Sequence, residues 1–183
     1  MMQLGRLDNR AAVYRLDADL QPVQIGGAWV GIRSKAAADV PAQAGLRSAA
    51  MVEIRTRPNS GIVPGCYIKS GKRLFHVTSV RDPMAAHMEQ VLSCDELIGQ
   101  AAFYKNPAIN PTPCRAHVTQ SAPFLDERGQ VTDYKTLIQV ALFEIGRPQV
   151  GDTITIGADV YTVILYADAT DDGIVRGLWV ERA

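Results

Sequence analysis

The side chains best suited to site chemistry are three histidines (His76, His87 and His117), three cysteines (Cys66, Cys94 and Cys114) and two tryptophans (Trp29 and Trp179). His76 lies between Phe75 and Val77 in a strand-like stretch, so it is expected to face solvent or a neighbour and not to bind a ligand. Cys114-x2-His117 has the spacing of half a zinc site. A structural zinc takes four ligands, and no second pair accompanies this one. An odd number of cysteines without paired spacing fits free thiols in a reducing cytoplasm. Asp168, Asp171 and Asp172 beside Gly173 would suit a cation or a solvated turn, and the solvated turn is the reading adopted. Trp29 and Trp179 are read as anchors of a core or of a subunit interface. The chain has no G-x-S-x-G elbow, phosphate-binding loop or dinucleotide fingerprint. The expectation is a protein that is not an enzyme, with no cofactor and no metal.

The elements that position these residues occur twice. Gly65-x2-Ile68-x2-Gly71-x3-Phe75-x-Val77-x4-Asp82 recurs 86 residues later as Gly151-x2-Ile154-x2-Gly157-x3-Tyr161-x-Val163-x4-Asp168. The same offset carries Ile32 onto Val118, Val52 and Ile54 onto Ile138 and Val140, and Leu92 and Cys94 onto Leu178 and Val180. A period this long is a small domain, not a solenoid unit. The fold class expected is all-β: two tandem small β-barrels with long loops between strands. The first spans residues 1–99, a proline-containing linker spans 100–113, and the second barrel spans 114–183.

Strands are expected at 29–32, 51–57, 66–69, 73–80 and 88–94 in the first unit, with a short helix compatible with 42–50. In the second unit they are expected at 114–119, 137–145, 153–156, 160–167 and 174–180. Pro107, Pro111 and Pro113 assign 100–113 to the linker, since proline cannot donate to a strand ladder. Both units then hold a long excursion after the first of these strands, at 34–50 and at 120–135. Loops of that length are uncommon in compact domains and are usually functional or disordered. Lys35, Asp39 and Arg47 in the first, and Asp126, Glu127 and Asp133 in the second, are the candidate channel or docking residues.

Net charge is zero, which disfavours a general nucleic-acid binder. Residues 1–100 carry 12 Lys+Arg against 9 Asp+Glu, and residues 101–183 carry 7 against 10. That split of +3 and −3 suits two domains with different neighbours. No apolar run is long enough to cross a bilayer, and the first ten residues lack the apolar core of a signal peptide.

Trp29–Ile32, the strand VEIRTR, the stretch IVPGCYIKSGKRLFHVTSVRDP and VLSCDE together resemble the head–tail joining, adaptor or stopper proteins of tailed bacteriophages, over residues 10–97. VGDTITIGADVYTV, then DDG at 171–173 and Leu178-Trp179-Val180, resemble the lambda-type head–tail attachment proteins, over residues 114–183. The resemblance implies a small barrel that assembles into a sixfold or twelvefold homo-oligomeric ring. Such a ring connects portal and tail at the virion neck, after assembly in the host cytoplasm. Portal or adaptor proteins and tail proteins would be its partners, and its loops would approach packaged DNA in the channel. No membrane is involved. A tail-terminator or tail-completion protein is a neighbouring reading. A small β-barrel enzyme or ligand-binding module would instead show a deep pocket with converging polar groups. An OB-like nucleic-acid module would show a basic face interleaved with aromatics; Arg55, Arg57, Lys69, Lys72 and Arg73 cluster in sequence without them.

Overall fold

The structure is a computed structural model that describes residues 7–34, 45–59, 61–83, 88–107, 110–125 and 128–183. The chain divides into two compact units, Met1–Leu97 and Ile98–Ala183. Each is a closed six-stranded antiparallel barrel.

In the first barrel, β1 (Asn9–Leu16), β2 (Pro22–Ser34), β3 (Arg47–Thr56), β4 (Tyr67–Ser70), β5 (Arg73–Arg81) and β6 (Gln90–Leu97) close in the order β1-β2-β3-β6-β5-β4. In the second, β7 (Gln100–Lys105), β8 (Thr112–Leu125), β9 (Val131–Ala141), β10 (Thr153–Ile156), β11 (Asp159–Ala167) and β12 (Val175–Arg182) close as β7-β8-β9-β12-β11-β10. One helical turn, α1 (Leu142–Ile145), follows β9. The two strand orders are the same. Closure removes free sheet edges from the wall of each barrel.

The repeat extends to backbone detail. Gly65 and Gly151 adopt φ of 90° and 94°, and Gly71 and Gly157 adopt 59° and 61°. Those left-handed values explain why glycine recurs at both turns. Gly65 N donates to Val77 O at 2.9 Å, and Gly151 N donates to Val163 O at 2.8 Å. Ile68 pairs with Phe75, and Ile154 with Tyr161. The same irregularity interrupts β5 at Val77/Ser79 and β11 at Val163/Leu165.

Among the strands matched in sequence at an offset of 86, one departs from it. Leu92 pairs with Ile54, whereas its equivalent Leu178 pairs with Ile138. Ile54 therefore corresponds to Ile138, not to Val140, and two residues are missing ahead of β9. A shift of two leaves every side chain on its original face, which is why the apolar pattern concealed the gap.

Residues 100–113 are not a linker. Residues 100–105 form β7, which pairs with β8 on one side and with β10 on the other. Pro107 belongs to the turn between β7 and β8, and Pro113 lies in β8 opposite Phe103. The prolines punctuate a hairpin. By their pairing with β4 and β10, Ala11 and Val13 correspond to Ala102 and Tyr104. All four are buried.

Three other expectations also change. Residues 47–50 are strand, not helix, while 42–44 lie outside the described residues. The strand expected at 137–145 ends at Ala141 and gives way to α1, with Leu142 and Phe143 buried. The excursion at 120–135 is largely a β-hairpin: Ala122 pairs with Lys135, Pro123 with Tyr134, Phe124 with Asp133 and Leu125 with Val131.

Each barrel holds its own core. In the first, Val13, Ile54, Ile68, Phe75, Val77 and Leu92 meet inside. In the second, Tyr104, Ile138, Val140, Ile154, Val163 and Leu178 do so. In barrels this narrow the inward side chains fill the lumen, so the lumen is packing and not a binding cavity. Among the described residues, no helix is long and apolar enough to cross a membrane.

Candidate functional site

The candidate loop residues do not form one cluster. Lys35, Asp39, Asp126 and Glu127 lie outside the described residues. Arg47 opens β3 opposite Leu97, with its guanidinium 3.7 Å from the Asp95 carboxylate. Leu46 before it is fully buried, so the excursion in the first unit ends at that residue. Asp133 is a strand residue in β9, where its Oδ1 accepts the N–H of Tyr134 at 2.8 Å.

The second-unit hairpin is longer than its barrel. β12 pairs with β9 only as far as Thr136, so 131–135 and 122–125 bond only to each other. A two-stranded ribbon of this length is marginal in water unless something packs on it. One face is anchored: the Phe124 ring meets Trp179 edge-on at 5.2 Å, and Lys135 Nζ sits 4.5 Å from the Phe124 centroid. The other face carries Pro123, Leu125, Val131 and Tyr134, with Leu125 53%, Val131 50% and Tyr134 66% exposed. This arm was hidden in the sequence because Pro123 and the intervening DERG mask the alternation on either side. Gly129, at φ 75°, was the available turn signal.

The histidines and cysteines show no converging geometry. His76 is buried against the Tyr67 ring at 5.2 Å, so of the two expected surroundings, solvent or a neighbour, it does not have solvent. Leu46, Tyr67, Leu74 and Leu97 are buried as well, so this sector of the wall is covered. Cys114 points inward, and His117, three residues on, faces the other side of β8. His87 lies outside the described residues. The cysteines are free and buried. Burial pushes the Cys94 thiol from 9.0 to about 12, with Asp95 adding to it. Burial, aided by Glu144, likewise pushes Cys114 to about 12.

A folded-state pKa above the unfolded one stabilises the fold fully below pH 9, and that stabilisation is lost as pH climbs toward 12. At pH 8 a thiol reagent should therefore leave Cys94 and Cys114 unmodified in the native protein, and denaturant should release all three cysteines. Rapid native labelling of either residue would contradict this burial.

The acidic turn is self-contained. Asp171 bonds Arg176 and the N–H of Gly173, and Asp172 accepts from Ile174 and Val175 at 2.9 Å each. Nor do the basic residues form one face. Arg55 bonds Glu53 at 3.1 Å and Arg73 bonds Glu96 at 2.6 Å, while β3 and β4 are not neighbours in the barrel. Glu53, almost fully buried, also has Arg81 within 3.9 Å. Comparison with protein-family models, with curated proteins and with solved structures finds no match. The site must therefore be argued from this chain alone.

Two surfaces stand out on that basis. One is the arm of the second barrel. The other is on the first barrel, where Trp29 is 57% exposed and so is not a core anchor. It pairs across the wall with Arg10 and borders an open groove of about 650 Å³ lined by Leu7, Gly27, Ala28, Trp29, Arg57 and Pro58. Neither arginine is ion-paired among the described residues. Sequence reasoning named Trp29 and Arg57 separately, set Arg57 in a basic cluster without aromatics and did not single out Arg10, because Arg10, Trp29 and Arg57 meet only when β1, β2 and β3 lie side by side.

Proposed function

We propose that this protein is a structural, non-enzymatic component of a tailed-bacteriophage neck: a homo-oligomeric ring of two-barrel chains that connects portal and tail. The observation that carries the reading is the tandem of closed barrels with one strand order, each with large apolar side chains on its outer wall. The wall of a closed barrel satisfies its own backbone, so contacts made by the wall draw on its side chains. Trp29 on one barrel, and Leu125, Val131 and Tyr134 on the other, are surfaces of the sort that association covers. A contact between two different patches, closed by rotation, yields a ring. The resemblance of Arg55, the Gly71-Lys72-Arg73 bend and the Asp82-Pro83 strand end to head–tail joining proteins supports a position at the neck. In this reading portal or adaptor and tail proteins are its partners, and the segment between β2 and β3 faces the DNA channel.

Native mass spectrometry and electron microscopy of the purified chain test the reading. A closed ring of six or twelve copies is expected, and antibody labelling should place it between head and tail of intact particles. A chain monomeric at every attainable concentration, or labelling at the distal tail, would exclude it. Replacing residues 36–44 by a Gly-Ser turn, which spares buried Leu46, should leave the ring intact and lower the yield of DNA-filled, infectious particles. Normal yields would show that the segment only connects two strands.

A further inference from the structure

We propose that Arg10, Trp29 and Arg57, in one row on the outer wall of the first barrel, bind single-stranded nucleic acid, with a base stacked on the indole and a phosphate held on either side of it. The inference goes beyond the ring reading: it gives Trp29 to nucleic acid and leaves the arm of the second barrel to protein.

Strand pairing sets the row. Arg10 on β1 stands opposite Trp29 on β2, and cross-strand partners share a face. On the other side of β2, Val30 stands opposite Thr56, which is buried. The next residue, Arg57, therefore turns outward beside Trp29, and it lines the groove with the indole. Neighbouring strands lie about 4.8 Å apart, so the two arginines start about 10 Å apart with the indole between them. Next along the same face come Gly27 and Ala12, which also stand opposite each other. These small residues put no bulky side chain over the ring from that side.

The row offers cations and donors. Arg10 and Arg57 have no ion-pair partner among the described residues. Among the same residues, no aspartate or glutamate lines the groove. Asn59, which does, accepts the N–H of Gly61 on its Oδ1 at 3.0 Å, so its amide has only N–H donors left to offer. Trp29 O is already engaged by the Thr56 hydroxyl at 3.2 Å. A matching ligand is an acceptor-rich anion that carries a flat ring. A nucleotide strand alternates the two, and sites for it combine a positive track with aromatic platforms. Residues 1–100 also hold the basic excess of the chain, 12 Lys+Arg against 9 Asp+Glu.

The competing occupant is an acidic protein segment. Tryptophan at the centre of a protein interface sits in a well-packed pocket from which water is excluded. Here the indole is flanked by two cations, and its groove is open, with Leu7 and Pro58 as the other large apolar residues. Those surroundings favour nucleic acid. DNA and RNA share the base ring and the phosphate recognised here, so two probes separate them.

Fluorescence anisotropy on the full chain, with short fluorescein-labelled oligothymidine and oligouridine, tests the assignment. The wild type should bind at least one of them at low salt. In a Trp179→Phe background, binding should quench the emission of Trp29. Trp29→Ala should weaken binding roughly tenfold, and Trp29→Phe, which keeps a ring, should stay within about threefold of the wild type. Arg10→Gln and Arg57→Gln should each lower the slope of log affinity against log salt by about 0.7, the value of one phosphate contact on a single strand. Lys105→Gln, at an exposed position of the second barrel, is the control and should change neither quantity.

No binding by the wild type, an unchanged affinity in Trp29→Ala, or a duplex bound as tightly as the single strand would overturn the proposal. So would polyglutamate that displaces the probe as readily as unlabelled oligonucleotide does, since the row would then belong to an acidic protein. Sedimentation equilibrium should give Trp29→Ala the same assembly as the wild type, and loss of assembly in that variant would assign the indole to a subunit contact instead. A chain that forms rings and binds neither probe keeps the ring reading and loses this one; a chain that binds through Trp29 and never forms rings does the reverse.

Discussion

Replacing Asp152 with alanine is expected to destabilise the second barrel by about 3 kcal/mol, the range for a broken buried polar pair. Asp152 is only 2% exposed. Its carboxylate accepts the Tyr104 hydroxyl and, at 2.5 Å, the N–H of Gln149. Truncation leaves a buried phenol without its acceptor, and desolvating that donor costs more than the bond was worth. Burial first, and the bond to Asp152 next, push Tyr104 above the ordinary phenol range. The stability this adds is present below about pH 10 and is lost as pH rises beyond it. The first barrel supplies the control, since Val13 and Cys66 occupy the positions of Tyr104 and Asp152. Copying that pair as Tyr104→Val with Asp152→Cys should recover only part of the loss, because the phenol and its acceptor leave together while the Gln149 N–H loses its acceptor and the smaller side chain leaves a cavity. Urea unfolding followed through Trp179, in a Trp29→Phe background, reads the second barrel alone. A stability change under about 0.5 kcal/mol for Asp152→Ala, the size of an ordinary surface substitution, would mean that the pair is not buried as described.

Val140→Asp should do more, and abolish the folded second barrel at ordinary temperature. Val140 is completely buried among Ile138, Ile154, Leu178 and Val180. An unpaired carboxylate there costs several kcal/mol even after it takes up a proton. A barrel of this size has a net stability of about 5–10 kcal/mol, so little remains. Limited proteolysis should cut the variant within 98–183 and leave a resistant fragment from the first barrel. Val160→Asp, at a half-exposed position on the outer wall, is the matched control and should resist digestion like the wild type. Soluble, protease-resistant Val140→Asp protein would refute the burial.

The tandem architecture was legible in the residues themselves. Glycines at 65, 71, 151 and 157 mark positions where the backbone needs a positive φ, and that local requirement shows in sequence. So does the period-two alternation that selects strand over helix. Register was not legible, because alternation fixes a face and not a partner: a two-residue gap before β9 changed the partners of that strand and no side-chain orientation. Chain breaks were misjudged for a related reason. Pro107, Pro111 and Pro113 signal an interruption of hydrogen bonding, and an interruption inside a hairpin looks the same in sequence as one between domains. The acids of 120–135 suggested a solvated loop, yet the strands on either side of Gly129 find each other and run past the barrel wall.

The candidate surfaces were decided by tertiary structure alone. Arg10, Trp29 and Arg57 are far apart in the chain and meet because three strands pair, so no local spacing could show them as a group. The exposure of Trp29 follows from the parity of β2, where Val30 and Ile32 turn inward and the indole must turn out. The Tyr104–Asp152 pair exists only because closing the barrel brings β7 against β10. Sequence by itself determines the turns that need a glycine at positive φ and which residues alternate, since those depend on neighbouring residues. Which alternating faces meet, which cations are left without partners and which arm extends beyond its sheet depend on pairing at long range, and only the closed barrels settle it.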